Sequence, residues 1–164
     1  VGLMGAGKSS IGKRLAPLLG IPFYDADAEI ETAAEMSIVD IFEAYGEKEF
    51  RRLEHRVIQR LLVQEPCVLA TGGGAYVQDV TRETLEAGAI TVWLNADVAT
   101  LVERTKGRGH RPLLNNGNHS EILLALKTKR DPYYGLAQVH FETQGKTDEA
   151  STAQSLLETL KGCL

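Results

Sequence analysis

Cysteine is scarce in this chain: two in 164 residues, Cys67 and Cys163. Two thiols so far apart exclude a disulfide framework or a cysteine-built metal cluster. They fit a reducing, cytoplasmic setting. Long hydrophobic runs are also missing. No stretch approaches the roughly 18–20 apolar residues of a membrane span, and no signal peptide is visible. A basic excess is lacking too, with 18 Lys and Arg against 22 Asp and Glu and a net charge of −4. That balance argues against a nucleic-acid-binding surface and in favour of a small ligand held by a few placed cations. What remains is an ordinary composition, 43% hydrophobic and 24% charged. It is enough for a single domain over 1–164 with its own core. The chain opens at Val1, directly before a glycine loop, so the first strand reads as truncated at its start.

Strand and helix patterns alternate along the chain, which predicts an α/β fold with a parallel sheet flanked by helices. A helix is expected over Lys8–Leu19, with Ile11, Leu15, Leu18 and Leu19 on one face and Gly20 as its stop. Pro22–Tyr24 is a short strand ending at Asp25. Ser37 with Asp40 forms a capping-box pattern before Ile38, Ile41 and Phe42. Gly46 ends that helix, and another runs from about Glu47 to Leu62. Cys67–Thr71 is a buried strand stopped by Gly72, Gly73 and Gly74. A helix near Val80–Ala87, a strand at Ile90–Leu94 and a helix capped by Asp97 follow. Residues 106–119, polar and rich in Gly, Asn, His and Arg, read as a mobile lid between folded segments. Ser120 caps a helix that ends near Arg130, with Pro132 as the break. His140–Thr143 is the last strand, and a terminal helix starts at about Ser151.

The chemistry starts at Gly2-Leu3-Met4-Gly5-Ala6-Gly7-Lys8-Ser9, which fits G-x-x-x-x-G-K-[ST]. Phosphates need many donors at short range, and glycines let backbone N–H groups turn inward. The helix that follows adds its positive end. Lys8 is expected on the β- and γ-phosphates and the Ser9 hydroxyl on Mg²⁺, so the loop predicts ATP with magnesium. Asp25 and Asp27 follow the second strand, at the sheet end where ligands bind. One carboxylate can serve the metal. The other can orient an attacking hydroxyl and accept its proton. A helix N-cap at Asp27 is the structural alternative. An anionic acceptor also calls for arginines, whose charge does not titrate. Arg51, Arg104, Arg108, Arg111 and Arg130 are candidates, although a lone arginine is more often a surface ion-pair partner. Arg51, with Glu54 three residues on, has that plain reading as well. Arg111 lies in the lid, where it can swing onto the transferring group. Gly72-Gly73-Gly74 offers bare backbone to a substrate. No acidic residue ends that strand, which shifts the metal duty to Asp25.

Together these blocks resemble shikimate kinase. The resemblance runs through Gly5-Ala6-Gly7-Lys8-Ser9-Ser10, Phe23-Tyr24-Asp25-Ala26-Asp27, Ser37-Ile38 with Asp40-Ile41-Phe42, and Gly46-Glu47 with Phe50-Arg51-Arg52 and Glu54. It continues in Ala70-Thr71-Gly72-Gly73-Gly74, Arg111-Pro112-Leu113-Leu114, and Lys129-Arg130 before Pro132-Tyr133-Tyr134. It implies a P-loop fold with a central five-stranded parallel sheet, a mobile lid, and acceptor-binding helices over about 28–62. It implies transfer of the γ-phosphoryl group of ATP to the 3-hydroxyl of shikimate, in aromatic amino-acid biosynthesis, by a monomer. Under it Asp27 holds the reacting hydroxyl and Ser9 and Asp25 serve Mg²⁺. Residues 5–10 hold the nucleotide phosphates. Arg51 and Arg130 bind the acceptor carboxylate. Phe42, Phe50 and Gly72–Gly74 line its ring, Arg111 closes with the lid, and Arg104 lies against adenine. The segment Thr143-Gln144-Gly145-Lys146-Thr147-Asp148 departs from the family's adenine loop. Two alternatives stand beside this reading: a kinase of the same fold with another acceptor, such as gluconate or a nucleoside monophosphate, and an inactive nucleotide-binding module.

Overall fold

The computed structural model describes residues 1–106, 118–143 and 148–163. The elements alternate as the sequence predicts. They are α1 (Lys8–Leu19), β1 (Phe23–Asp25), α2 (Ala26–Ala34), α3 (Ile38–Leu62), β2 (Val68–Ala70), a 3₁₀ turn (Ala75–Val77), α4 (Asp79–Gly88), β3 (Val92–Asn95), α5 (Val98–Thr105), α6 (His119–Tyr134), β4 (Val139–Glu142) and α7 (Glu149–Leu160). The strands are parallel and paired in twos. β1 runs beside β2 with Tyr24 opposite Leu69, and β3 beside β4 with Trp93 opposite His140. The opening residues lie along the other edge of β3. The Val1 amino group donates to Val92 O (2.7 Å), and Leu94 N–H donates to Val1 O (3.0 Å). Parallel strands joined through helices put all strand ends of one kind on one side, and that side holds the phosphate loop.

Local chemistry explains most boundaries. α1 stops at Gly20, whose left-handed φ of 69° lets its N–H turn back to the carbonyls of Ala16 and Pro17. Ser37 caps α3 as expected, its hydroxyl accepting from Asp40 N–H (3.1 Å) and donating to the Asp40 carboxylate (2.6 Å). Gly46 (φ 78°, ψ 174°) breaks α3 in the middle, so the two predicted helices join end to end across a kink. Asp97 caps α5 by accepting from Thr100 N–H at 2.7 Å. Two helices begin earlier than the sequence indicates. Asn118 rather than Ser120 caps α6, and Asp148 caps α7 by accepting from Ala150 and Ser151 N–H. Nor does α6 stop near Arg130. Pro132 sits in its last turn, where a missing N–H removes one helical bond, and Gly135 N–H still reaches Asp131 O (2.8 Å). The added turn keeps Tyr134 on the helix, one turn beyond Arg130 and on the same face.

The core has two parts. The larger lies between the strands and the helices around them and includes Leu3, Leu15, Ile58, Leu94, Leu101, Leu123, Tyr134 and Leu156. The smaller lies between α2 and α3 and holds Ile30, Ile41, Phe50, Val57 and Leu61. α3 serves both, with Ile58 in one and Phe50, Val57 and Leu61 in the other.

Candidate active site

The loop from Gly2 to Ser9 is built as its sequence requires. Gly5 (φ 83°) and Gly7 (φ 97°) take left-handed conformations that L side chains resist, and Gly7 leads directly into α1. Ala6 turns its methyl into the core (1% exposed), and its N–H closes onto Leu3 O (3.2 Å). Lys8 lies across the loop, its ammonium donating to Gly2 O and Leu3 O (2.9 Å each). Neighbouring Ser9 donates its hydroxyl to Asp25 Oδ2 at 2.6 Å.

Asp25 and Asp27 divide their work differently from two residues of one extended strand. Asp25 ends β1 and caps α2, its second oxygen accepting from Asp27 N–H at 3.1 Å. Asp27 stands in the first turn of α2, so the N-cap role falls to Asp25 and leaves the Asp27 carboxylate available to the cavity. Burial first, and the Asp25 charge second, push the Asp27 pKa above its ordinary 3.8, against the pull of Lys8 and Arg51.

Arg51 is not a solvated surface charge. Its guanidinium donates to Glu54 Oε2 (2.7 Å) and lies 5.1 Å from the centre of the Phe50 ring. Phe50 in turn packs on Phe42, with ring centroids 4.5 Å apart. Glu54 is fully buried at 0% exposure. Burial raises its pKa, and Arg51 opposes the rise. The sequence places Glu54 in a family block and as a possible surface partner of Arg51, but gives it no role in the site. A signal was present: Glu54 is four residues after Phe50 and three before Val57, on the stripe that α3 buries. Gly72, Gly73 and Gly74 follow β2 and meet these groups. A Cβ on Gly72 would lie 2.9 Å from both Asp27 Oδ1 and Glu54 Oε1, one on Gly73 3.3 Å from Arg130 Nη1, and one on Gly74 2.8 Å from Arg51 Nη1.

All of this faces one cavity of about 600 Å³. It is lined at one end by Asp27, Phe42, Phe50, Arg51, Glu54, Gly72–Gly74 and Arg130, and along its floor by Gly5, Gly7, Lys8, Ser9, Ser10 and Asp25. Beyond the loop lie Arg104 and the start of α7, with Asp148 and with Glu149 and Thr152, two residues the sequence does not single out. Arg104 Nη1 donates to Gly5 O and to Thr143 Oγ1, both at 3.4 Å. The cavity therefore joins an end lined by arginines and carboxylates to a phosphate loop. Among the described residues, buried Arg51 Nε, Glu54 Oε1 and Thr71 Oγ1 have no hydrogen-bond partner, and all three residues line this cavity. Buried polar atoms without partners favour a polar ligand that supplies them. Arg111 and residues 144–147 lie outside the described residues.

The donors near the loop also suit a magnesium ion. Ser9 Oγ and Asp25 are hard oxygen donors 2.6 Å apart, and no group of three or more His, Cys, Asp or Glu among the described residues forms a protein cage. Magnesium fits such a sparse site, because it keeps water and phosphate oxygens as most of its ligands.

A family model described as shikimate kinase matches residues 4–161. A shikimate kinase from Brucella canis is 49% identical over 160 residues, 98% of this chain and 80% of the relative. One from Paramagnetospirillum magneticum is 50% identical over 151 residues, 92% of this chain and 77% of the relative. Among solved structures, a shikimate kinase from Acinetobacter baumannii in complex with shikimate superposes with a TM-score of 0.93 at 39% identity. That match covers 99% of this chain and 90% of the other.

Proposed function

The chain belongs to the shikimate kinase family and phosphorylates shikimate with ATP; we propose that it does so at the 3-hydroxyl, in the cavity between Arg51 and Lys8. One observation carries the reading: Arg51, paired with the buried Glu54, stands beside Asp27 in a cavity that continues onto the phosphate loop.

The acceptor carboxylate is held by Arg51 and Arg130, whose planar guanidinium groups match a carboxylate in two-pronged fashion. Phe42 and Phe50 carry the ring, and Gly72–Gly74 let it approach bare backbone. Asp27 orients the reacting hydroxyl and accepts its proton. The loop residues Gly5–Ser10 and Lys8 hold the triphosphate, and Arg104 lies at the nucleotide end. Ser9 and Asp25 hold Mg²⁺, which when bound neutralises phosphate charge. Arg111, as the cation of a lid over about 106–119, completes the charge around the transferring group. We also infer one five-stranded sheet, in which Val1–Leu3 joins the two strand pairs. The Val1 bonds to β3 support this reading, as does the one core against which both Leu69 of β2 and Val92 of β3 pack.

The reaction is tested by ADP release from Mg-ATP with shikimate, gluconate, AMP or no acceptor. Turnover is expected with shikimate alone, because a site built to bond particular hydroxyls rejects analogues lacking them by about 10⁴-fold. Preferred turnover with gluconate or AMP would sink the acceptor assignment. ATP binding with no turnover on any acceptor would leave a nucleotide-binding module.

A further inference from the structure

Tyr134 has no part in the chemistry above, yet it is a large, fully buried polar side chain that reaches the acceptor site, at 0% exposure. Its hydroxyl donates to the carbonyl of Gly73. Its ring packs on Trp93 of β3, with centroids 6.1 Å apart and planes tilted by 35°. Arg130, one turn earlier on α6, interacts with the same hydroxyl, while burial raises the phenol's pKa to about 12 and keeps it a donor at working pH.

The bond matters because of the peptide it holds. The Gly73–Gly74 peptide lies between the two arginines of the acceptor end, Gly73 beside Arg130 and Gly74 beside Arg51. In a trans peptide the C=O of one residue and the N–H of the next point in opposite directions. Holding Gly73 O therefore fixes Gly74 N–H on the other side of that peptide. Three successive glycines offer no side chain to do the same, and their freedom has to be restrained from outside.

We propose that Tyr134 is a positioning residue of the acceptor site, its hydroxyl fixing the Gly73–Gly74 peptide between Arg51 and Arg130. The proposal rests on the acceptor site described above. Its role is separate from that of the nucleotide end, so its effect falls on acceptor binding alone.

Tyr134→Phe keeps the ring and removes the hydroxyl. The expected result is a rise in the KM for shikimate of about tenfold, the factor of one lost hydrogen bond, with the KM for ATP within about twofold. Tyr76→Phe is the control. It also strips a fully buried phenol of a hydrogen bond, to Glu86 at 2.8 Å, and it should shift Tm without changing either KM. Replacing Tyr134 by 4-aminophenylalanine, which restores a donor on the same ring, should bring the shikimate KM back to within about threefold of the parent. An unchanged shikimate KM in Tyr134→Phe, equal rises in both KM values, or no recovery with the amino analogue would each overturn the proposal. Arg130→Ala in the same series separates the two layers. If it leaves the shikimate KM untouched, the acceptor site itself is misassigned; if it raises that KM while Tyr134→Phe does not, only the role of Tyr134 fails.

Discussion

Asp27 carries the sharpest conflict at the residue scale. It sits in the first turn of α2, where the helix end favours an anion, but burial and Asp25 raise its pKa above 3.8. A base must be ionised to accept a proton, so activity is lost as pH falls through the raised value. The acid limb of kcat/KM is therefore expected above the ordinary carboxylate range. Asp27→Asn should abolish that limb and lower kcat by about 10²–10⁴-fold. Stability moves the other way. A carboxyl that binds its proton more tightly folded than unfolded makes the fold lose stability as pH rises from 3.8 through the raised pKa, and the loss persists at neutral pH. Asp27→Asn should thus raise Tm at pH 7 while it lowers turnover. Thermal melts beside the pH–rate profile check both signs, and an unshifted acid limb at the ordinary value would remove Asp27 as the base. Glu54 follows the same physics on α3, with Arg51 as its compensating partner.

At the scale of elements, the turn after β2 and the middle of α3 meet at the proposed acceptor end of the cavity. Their contact is close enough that a single methyl group disturbs it. A Cβ at Gly74 would lie 2.7 Å from Arg51 Cζ and 2.8 Å from Nη1. The obstructed atoms belong to the end of a side chain that can swing aside, but doing so takes the partner from the buried Glu54 carboxylate. Gly74→Ala is therefore expected to raise the shikimate KM by about tenfold or more, as the guanidinium leaves its place beside Glu54, and to lower Tm through the buried carboxylate left without its partner. Steady-state kinetics with each substrate varied in turn will show it. A large fall in Tm with unaltered KM would mean the glycine serves the backbone turn instead. Much of this was legible locally. The loop at 2–9, the Ser37 and Asp97 caps and the Gly46 break each follow from a few adjacent residues. The ends of α6 were not, because Pro132 marks a break only when the preceding turn has no tertiary support. Here Tyr134 is buried against Trp93, which holds the last turn in place.

At the scale of the molecule, α3 ties the acceptor end to the main core. Ile58 is fully buried in the larger cluster (0% exposed), while Phe50, Val57 and Leu61 fill the smaller one. Ile58→Ala should cost about 2–5 kcal/mol, since a cavity there is shared by elements that cannot all move in. Urea melts will measure it, and a cost below about 1 kcal/mol would mean that α3 repacks freely and does not join the two clusters. The sequence by itself determined the α/β alternation and the phosphate loop. It also determined the family, because those rest on spacing between neighbouring residues and on ordered blocks along the chain. Only the tertiary structure decided which charges are buried and brought to the cavity. Arg51 and Glu54 look like any surface pair three residues apart until α3 turns them inward, beside Asp27 and against glycines some twenty residues further along the chain. Burial and long-range approach set those energies, and neither is written in local spacing.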